Sequence, residues 1–309
     1  MCCQFSLTWF AFQEVLNISE DNNLENIGSL NTQLVLVLGV AALIVLVLMI
    51  GGVRSVGKVS MVCIPILYML MVTLVIRACL TDNGPQAVLT YLSPNWSLLK
   101  EPSLWLEAAG HVIFSLQLGL GAQSALARCN KYRHNLIRDC GVVLVTHIVW
   151  SLLCVLLTLS LLGADTDHSP ATPITHIATG DNIWLAAVTI LDKSLLGLSY
   201  GWLWSGLYFV LVTISGITSL YGYIEVISAS FSDIRPSLVK LKPLITFIVI
   251  ILIFLMDLAL ATRAGIHVYH LLYKYIATWP CLLTILATLT AATWSHGTRH
   301  VMKDLSDLR

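Results

Sequence analysis

The nine residues Ile113–Gly121, IFSLQLGLG, decide how this chain is read. They lie inside an apolar run, Leu104–Ala127, long enough to cross a bilayer. Gln117 brings a polar amide into that run, and Gly119 and Gly121 weaken the helix where hydrocarbon offers no replacement hydrogen bonds. A helix interrupted there frees backbone carbonyls and amides, which can replace an ion's water shell or hold the charged end of a small molecule.

The composition supports a membrane setting for that break. The chain has 309 residues, 57% hydrophobic and 11% charged, against roughly 25% charged in a soluble domain. The formal net charge is zero, so nothing in the charge balance points to nucleic acid. Eight cysteines are scattered without CxxC pairs, and most fall in apolar runs, where cysteine acts as a small buried side chain. No nucleophile–base set or phosphate loop is present, so the chain reads as a non-enzyme with no organic cofactor.

Seven spans are expected: Leu34–Ile50, Met61–Leu80, Leu104–Ala127, Gly141–Leu162, Trp202–Phe231, Leu244–Thr262 and Val268–Trp294. Twelve of the 17 basic residues fall in one set of connecting loops and five in the other. The positive-inside rule then puts the N-terminus outside the cell and the C-terminus in the cytoplasm. The sequon Asn17-Ile18-Ser19 lies on the outer side, where Asn17 can be glycosylated. The longest outer loop, from about Gly163 to Gly201, contains DNIWLAAVTILDKSLL, which reads as a short amphipathic helix.

A second polar grouping lies in the fifth span. Ser215, Thr218 and Ser219 fall within about one helical turn and can face one point. Their oxygens suit an alkali cation, but serine and threonine also bond back to their own helix. Glu225, two turns on, is an intramembrane carboxylate that needs a partner or a proton, and Asp257 is a second acid within a span. Seven spans also suggest a seven-helix receptor, but no DRY follows the third span and no NPxxY ends the seventh.

These segments, in this order, resemble the neurotransmitter:sodium symporter family, the sodium- and chloride-dependent transporters of amino acids, GABA and monoamines. GVRSVGKVS (Gly52–Ser60) resembles the family's loop between its fourth and fifth helices. The stretch Tyr91–Gly121 resembles the approach to and passage through the broken sixth helix. SGITSLYGYIEVISASFSD is similar to the eighth helix, and HVYHLLYKYIATWPCLLTILATLTAATWSHG to the tenth. The resemblance implies an all-α, inverted-repeat transporter fold with a discontinuous helix, truncated to about seven transmembrane helices that correspond to helices four to ten of twelve. Residues 1–33 then form an extracellular loop remnant and 34–309 the transmembrane domain.

By position, the resemblance assigns Phe114 to an aromatic gate above the substrate, with Ser115, Gln117, Leu120, Ser219 and Tyr223 lining the pocket and Gly119 and Gly121 in the unwound turn. Ser115 matches a hydroxyl shared by the first sodium site and the chloride site. The Ser215 carbonyl with the Thr218 and Ser219 hydroxyls matches half of the second sodium site, and Ser151 a further chloride-site hydroxyl. Two positions depart from the pattern: His111 stands at the chloride-site glutamine and His147 at the asparagine ligand of sodium and anion. Imidazole is a poor sodium ligand, and imidazolium repels the cation. The first sodium site is therefore expected to be weakened, and His111 with His147 to make a pH-sensitive anion site.

The implied function is sodium-coupled symport of amino acids or neurotransmitter-like amines at the plasma membrane, by part of a longer or divergent member. The alternative is a truncated, non-transporting relative that modulates a full-length transporter. The implied ions are sodium and chloride. The expected partners are a small-molecule substrate, the lipid bilayer and a second copy in a homo-oligomer.

Overall fold

The computed structural model describes residues 29–49, 51–81, 84–92, 96–127, 135–165, 194–234, 236–262 and 279–295, with isolated positions between 264 and 303. Asn17, the sequon and most of the expected amphipathic outer helix lie outside the described residues. Apart from a single bridge between Leu30 and Thr262, the described regular structure is helical. The chain divides into two compact units: residues 1–93, 151–221 and 247–270, and residues 94–150, 222–246 and 271–309.

Helix α1, Thr32–Met49, carries no charged residue and is about 27 Å long, close to the thickness of a bilayer core. Asn31 caps it: its Oδ1 accepts from the Gln33 amide at 3.1 Å. The Asn31 amide donates to the Ala261 carbonyl at 2.9 Å, which ties the start of α1 to the segment just after α8, Lys242–Leu260. Gly39 faces Phe254 of α8, where an added Cβ would lie 3.9 Å from the ring.

Helix α2, Gly52–Cys79, contains Pro65 and is followed by a turn in which Thr81 Oγ1 donates to the Ala78 carbonyl. A Cβ on Gly84 would sit 2.6 Å from that same carbonyl, so the entry to α3, Gly84–Tyr91, requires glycine. Near the end of α2, Arg77 donates to Ser199 Oγ at 2.9 Å and lies 5.8 Å from the Trp204 ring centroid. Trp204 belongs to α7, Gly201–Ile234, and in the first unit Tyr221 of α7 shares a hydrogen bond with Ser60 of α2.

Helix α4, Pro102–Ser115, and α5, Ala122–Ala127, occupy the run expected to be a single span. Helix α6, Leu136–Asp165, follows, capped by Asn135, whose Oδ1 accepts from the Arg138 amide at 3.1 Å. Among the described residues, five helical segments are long and apolar enough to cross a membrane: Thr32–Met49, Ser55–Cys79, Leu136–Leu161, Gly201–Asp233 and Val239–Leu260. Of the two remaining expected spans, one is interrupted where its glutamine and glycines imply and one is described only in part. Leu104–Ala127 is broken in the middle, and in Val268–Trp294 the last stretch is α9, Trp279–Thr290, running into a π-turn at Ala291–Ser295.

In the second unit, the end of α7 meets the start of α8 through polar groups. Glu225, 2% exposed, pairs with Lys242, and Thr246 Oγ1 donates to Ser228 Oγ at 3.2 Å. Lys242 opens α8, where a helix N-terminus disfavours positive charge, and the Glu225 carboxylate offsets that cost. The partner that the sequence required for Glu225 is therefore a lysine 17 residues on. Asp257, half-buried on α8, makes no ion pair among the described residues. Large apolar side chains such as Met61, Leu106 and Met256 are exposed, as suits helices surrounded by hydrocarbon.

Candidate functional site

The break between α4 and α5 is built by local backbone rules. The Gln117 amide donates to the Phe114 carbonyl and the Leu118 amide to the Ile113 carbonyl, both at 3.0 Å. This pair of bonds is the Schellman pattern that ends a helix, with Gln117 at the left-handed position. Its φ of +53° is one that glycine adopts freely and a glutamine adopts at a cost of about 1–2 kcal/mol. Gly119 and Gly121 follow at φ +84° and +80°, so three of five consecutive residues are left-handed and no helix can continue. Across the break, Gln123 Nε2 donates to the Leu116 carbonyl at 2.7 Å. Gln123 was not singled out in the sequence. Its signal is a second amide side chain within one turn of the break's far end.

The last residue of α4 is Ser115. Its Oγ lies 3.2 Å from His147 Nε2 of α6 and donates to the Val112 carbonyl at 3.3 Å. His111 lies one turn earlier on α4, on the same face as Ser115, with its side chain exposed. The structure thus groups Ser115 and His147 directly, while His111 shares only the Ser115 face of α4. Phe114 is half-exposed and Gln117 and Leu120 are partly buried within the turn region.

In α7 the Thr218 and Ser219 hydroxyls both donate to the Ser215 carbonyl, at 2.9 and 3.0 Å. Three oxygens are therefore gathered at one point, through back-bonding to their own helix. Tyr223 is partly buried one turn beyond Ser219. Ser215, Thr218, Ser219 and Ser151 belong to the first unit; His111, Phe114, Ser115, Gln117, Leu120, His147 and Tyr223 belong to the second. Among the described residues, no three His, Cys, Asp or Glu side chains converge as a metal-binding group.

The chain is similar to known transporters over nearly its whole length. It is 28% identical over 302 residues to the sodium- and chloride-dependent GABA transporter 2 of Rattus norvegicus, which covers 96% of this chain and 49% of that protein. It is 25% identical over 297 residues to the sodium- and chloride-dependent neutral and basic amino acid transporter B(0+) of Mus musculus, covering 95% and 46%. The creatine transporter of Torpedo marmorata is 25% identical over 307 residues, covering 98% and 49%. The chain spans about half the length of these curated relatives, which are transporters and not enzymes. The family model described as the sodium:neurotransmitter symporter family matches residues 4–309, and with a membrane-length helical fold and a broken helix in place, the chain belongs to that family.

Proposed function

We propose that this chain is part of a sodium-coupled symporter of small amino acids or amines in the plasma membrane. The observation that carries the reading is the interrupted helix at Ser115–Ala122, stopped by three left-handed residues inside an apolar run. Discontinuous helices of this kind form substrate and ion sites at the midplane of transporters. The substrate class follows from the relatives, which carry GABA, neutral and basic amino acids or creatine by name.

The two cation half-sites differ in their fit to sodium. The Ser215 carbonyl with Thr218 and Ser219 offers hard oxygen donors, the ligand type alkali cations require. The Ser115 hydroxyl is engaged by an imidazole, a poor sodium ligand, so the site at Ser115 does not suit that ion. The proposed coupling ion is therefore held at the α7 oxygens. Phe114, Ser115, Gln117, Leu120 and Tyr223 are assigned to substrate contact, and His111, Ser115 and His147 to an anion such as chloride. The N-terminal side is assigned to the exterior, with a glycan at Asn17, and the C-terminal side to the cytoplasm.

The test is uptake of labelled GABA, neutral and basic amino acids and creatine into vesicles holding the protein, with and without a sodium gradient. Gradient-driven uptake that Ser219→Ala and Thr218→Val reduce by tenfold or more supports the reading. Uptake of none of these solutes overturns it. The Ser115–His147 bond favours a second reading, a non-transporting relative that modulates another family member. Co-expression that changes a partner transporter's uptake, with none by this chain alone, supports that reading.

A further inference from the structure

Two membrane-length helices of the first unit meet at a positive charge. Arg77 lies in the last turn of α2, and Ser199 just precedes α7. Their spans, Ser55–Cys79 and Gly201–Asp233, end and begin at this contact, so both residues sit at one membrane boundary. Arg77 Nη2 donates to Ser199 Oγ at 2.9 Å, and the guanidinium carbon lies 5.8 Å from the Trp204 ring centroid. The Trp204 indole N–H donates to the Ser199 carbonyl at 3.1 Å, so the hydroxyl and the ring that hold the guanidinium are fixed to each other. The turn that carries them is tightly built. Tyr200 takes φ +60°, an outlier for a bulky residue, and a Cβ on Gly201 would collide with the Leu196 carbonyl. Such strain persists where the surroundings over-determine it, and it clusters at ligand clamps.

The Arg77 side chain is half-buried, and of the N–H donors on its guanidinium one goes to Ser199 Oγ. Among the described residues no carboxylate pairs with it. The Trp204 face attracts the cation but does not neutralise it. Tyr200 and Trp202, next in sequence to Ser199, are 75% and 73% exposed, and amphipathic rings of this kind sit at the level of lipid headgroups. Ile76 and Leu80, four residues apart on either side of Arg77, are exposed apolar side chains that an acyl chain can cover. We propose that Arg77, held in place by Ser199 and Trp204, binds the phosphate of a phospholipid. The planar guanidinium fork matches phosphate oxygens bidentately, and the bilayer supplies that group at the level of the aromatic rings. The bound lipid gives the arginine its anion and ties the end of α2 to the start of α7. The test reads lipid on the chain itself, so its failure leaves the transport reading standing.

The experiment adds dioleoylphosphatidylcholine to the whole chain, purified in a maltoside detergent and stripped of lipid, and counts bound lipid by native mass spectrometry. This lipid carries a phosphate but no net charge, so general electrostatic attraction does not mimic a site. The expected result is saturable retention of the phospholipid over dioleoylglycerol, which has the same chains and no phosphate. Inorganic phosphate does not displace it. Arg77→Gln is expected to weaken binding about tenfold or more, because hydrogen bonds to a charged group are lost. Arg77→Lys keeps the charge without the fork and falls between the two. Retained helical circular dichroism shows that these variants are folded. Arg138→Gln removes an exposed positive charge from α6 and leaves the affinity unchanged. Equal retention of dioleoylglycerol overturns the proposal, as does wild-type affinity in folded Arg77→Gln, an equal loss in Arg138→Gln, or displacement by inorganic phosphate, which marks a site for a free anion.

Discussion

Two apolar stretches of this chain carry glycines and polar side chains near their middles, and only one breaks. Residues 104–127 stop at Ser115 and restart at Ala122, while α7 runs unbroken for 34 residues through Ser215, Gly216, Thr218, Ser219 and Gly222. Glycine content does not separate them. In the first stretch, Gln117, Gly119 and Gly121 take left-handed φ and the freed Leu116 carbonyl is covered by Gln123. In α7, Gly216 and Gly222 stay helical, and the hydroxyls fold back on the Ser215 carbonyl. Polar residues in a span therefore lead either to a break or to back-bonding. Which occurs depends on whether the backbone groups released by a break find other partners.

The largest expected effect tests how α7 keeps its own charge. Glu225→Ala leaves Lys242 without its carboxylate and is expected to cost about 3–5 kcal/mol, read as earlier unfolding in a detergent titration. The double variant Glu225→Gln with Lys242→Met should recover most of that loss; no recovery would show that the pair is not what stabilises the end of α7.

Gly121→Ala is expected to destabilise by about 1–2 kcal/mol, because alanine disfavours φ +80°. Space is not the cause, since the added Cβ would meet only Val226 at an ordinary 3.5 Å. Gln117→Gly should act in the opposite direction and stabilise by about 1 kcal/mol, since glycine relieves the left-handed strain at φ +53°. Unfolding midpoints of the two variants moving the same way would mean that the break is not held by left-handed backbone. The smallest effect belongs to α7. Gly216→Ala places a methyl in open space on a continuous helix and should stabilise by about 0.5–1 kcal/mol. The same change thus has opposite signs in the two stretches, and equal signs would remove the distinction between them.

The break itself was legible because its determinants are local. A glutamine followed by two spaced glycines in an apolar run can be read without knowing the neighbours, and the hydrogen bonds that end α4 all come from within five residues. The α7 hydroxyl cluster was half legible. The spacing of Ser215, Thr218 and Ser219 brought them to one point, but whether they turn outward or bond back was left open by the sequence. The partner of Glu225 was not legible. Lysine 242 lies in the loop-proximal turn of another helix, and only the packing of α7 on α8 brings the two charges together.

The amino-acid sequence by itself determined that this is a helical membrane protein, where most spans lie, where one of them fails and which family it belongs to. Those properties depend on hydrophobic run length, on backbone conformations that only a few residues tolerate and on motif spacing, all of which are carried along one dimension. Only the tertiary structure decided that Ser115 meets His147 and that Lys242 neutralises Glu225. Polar side chains inside a span must find partners, and the partner is set by which helices pack together, a relation between segments that no single segment encodes.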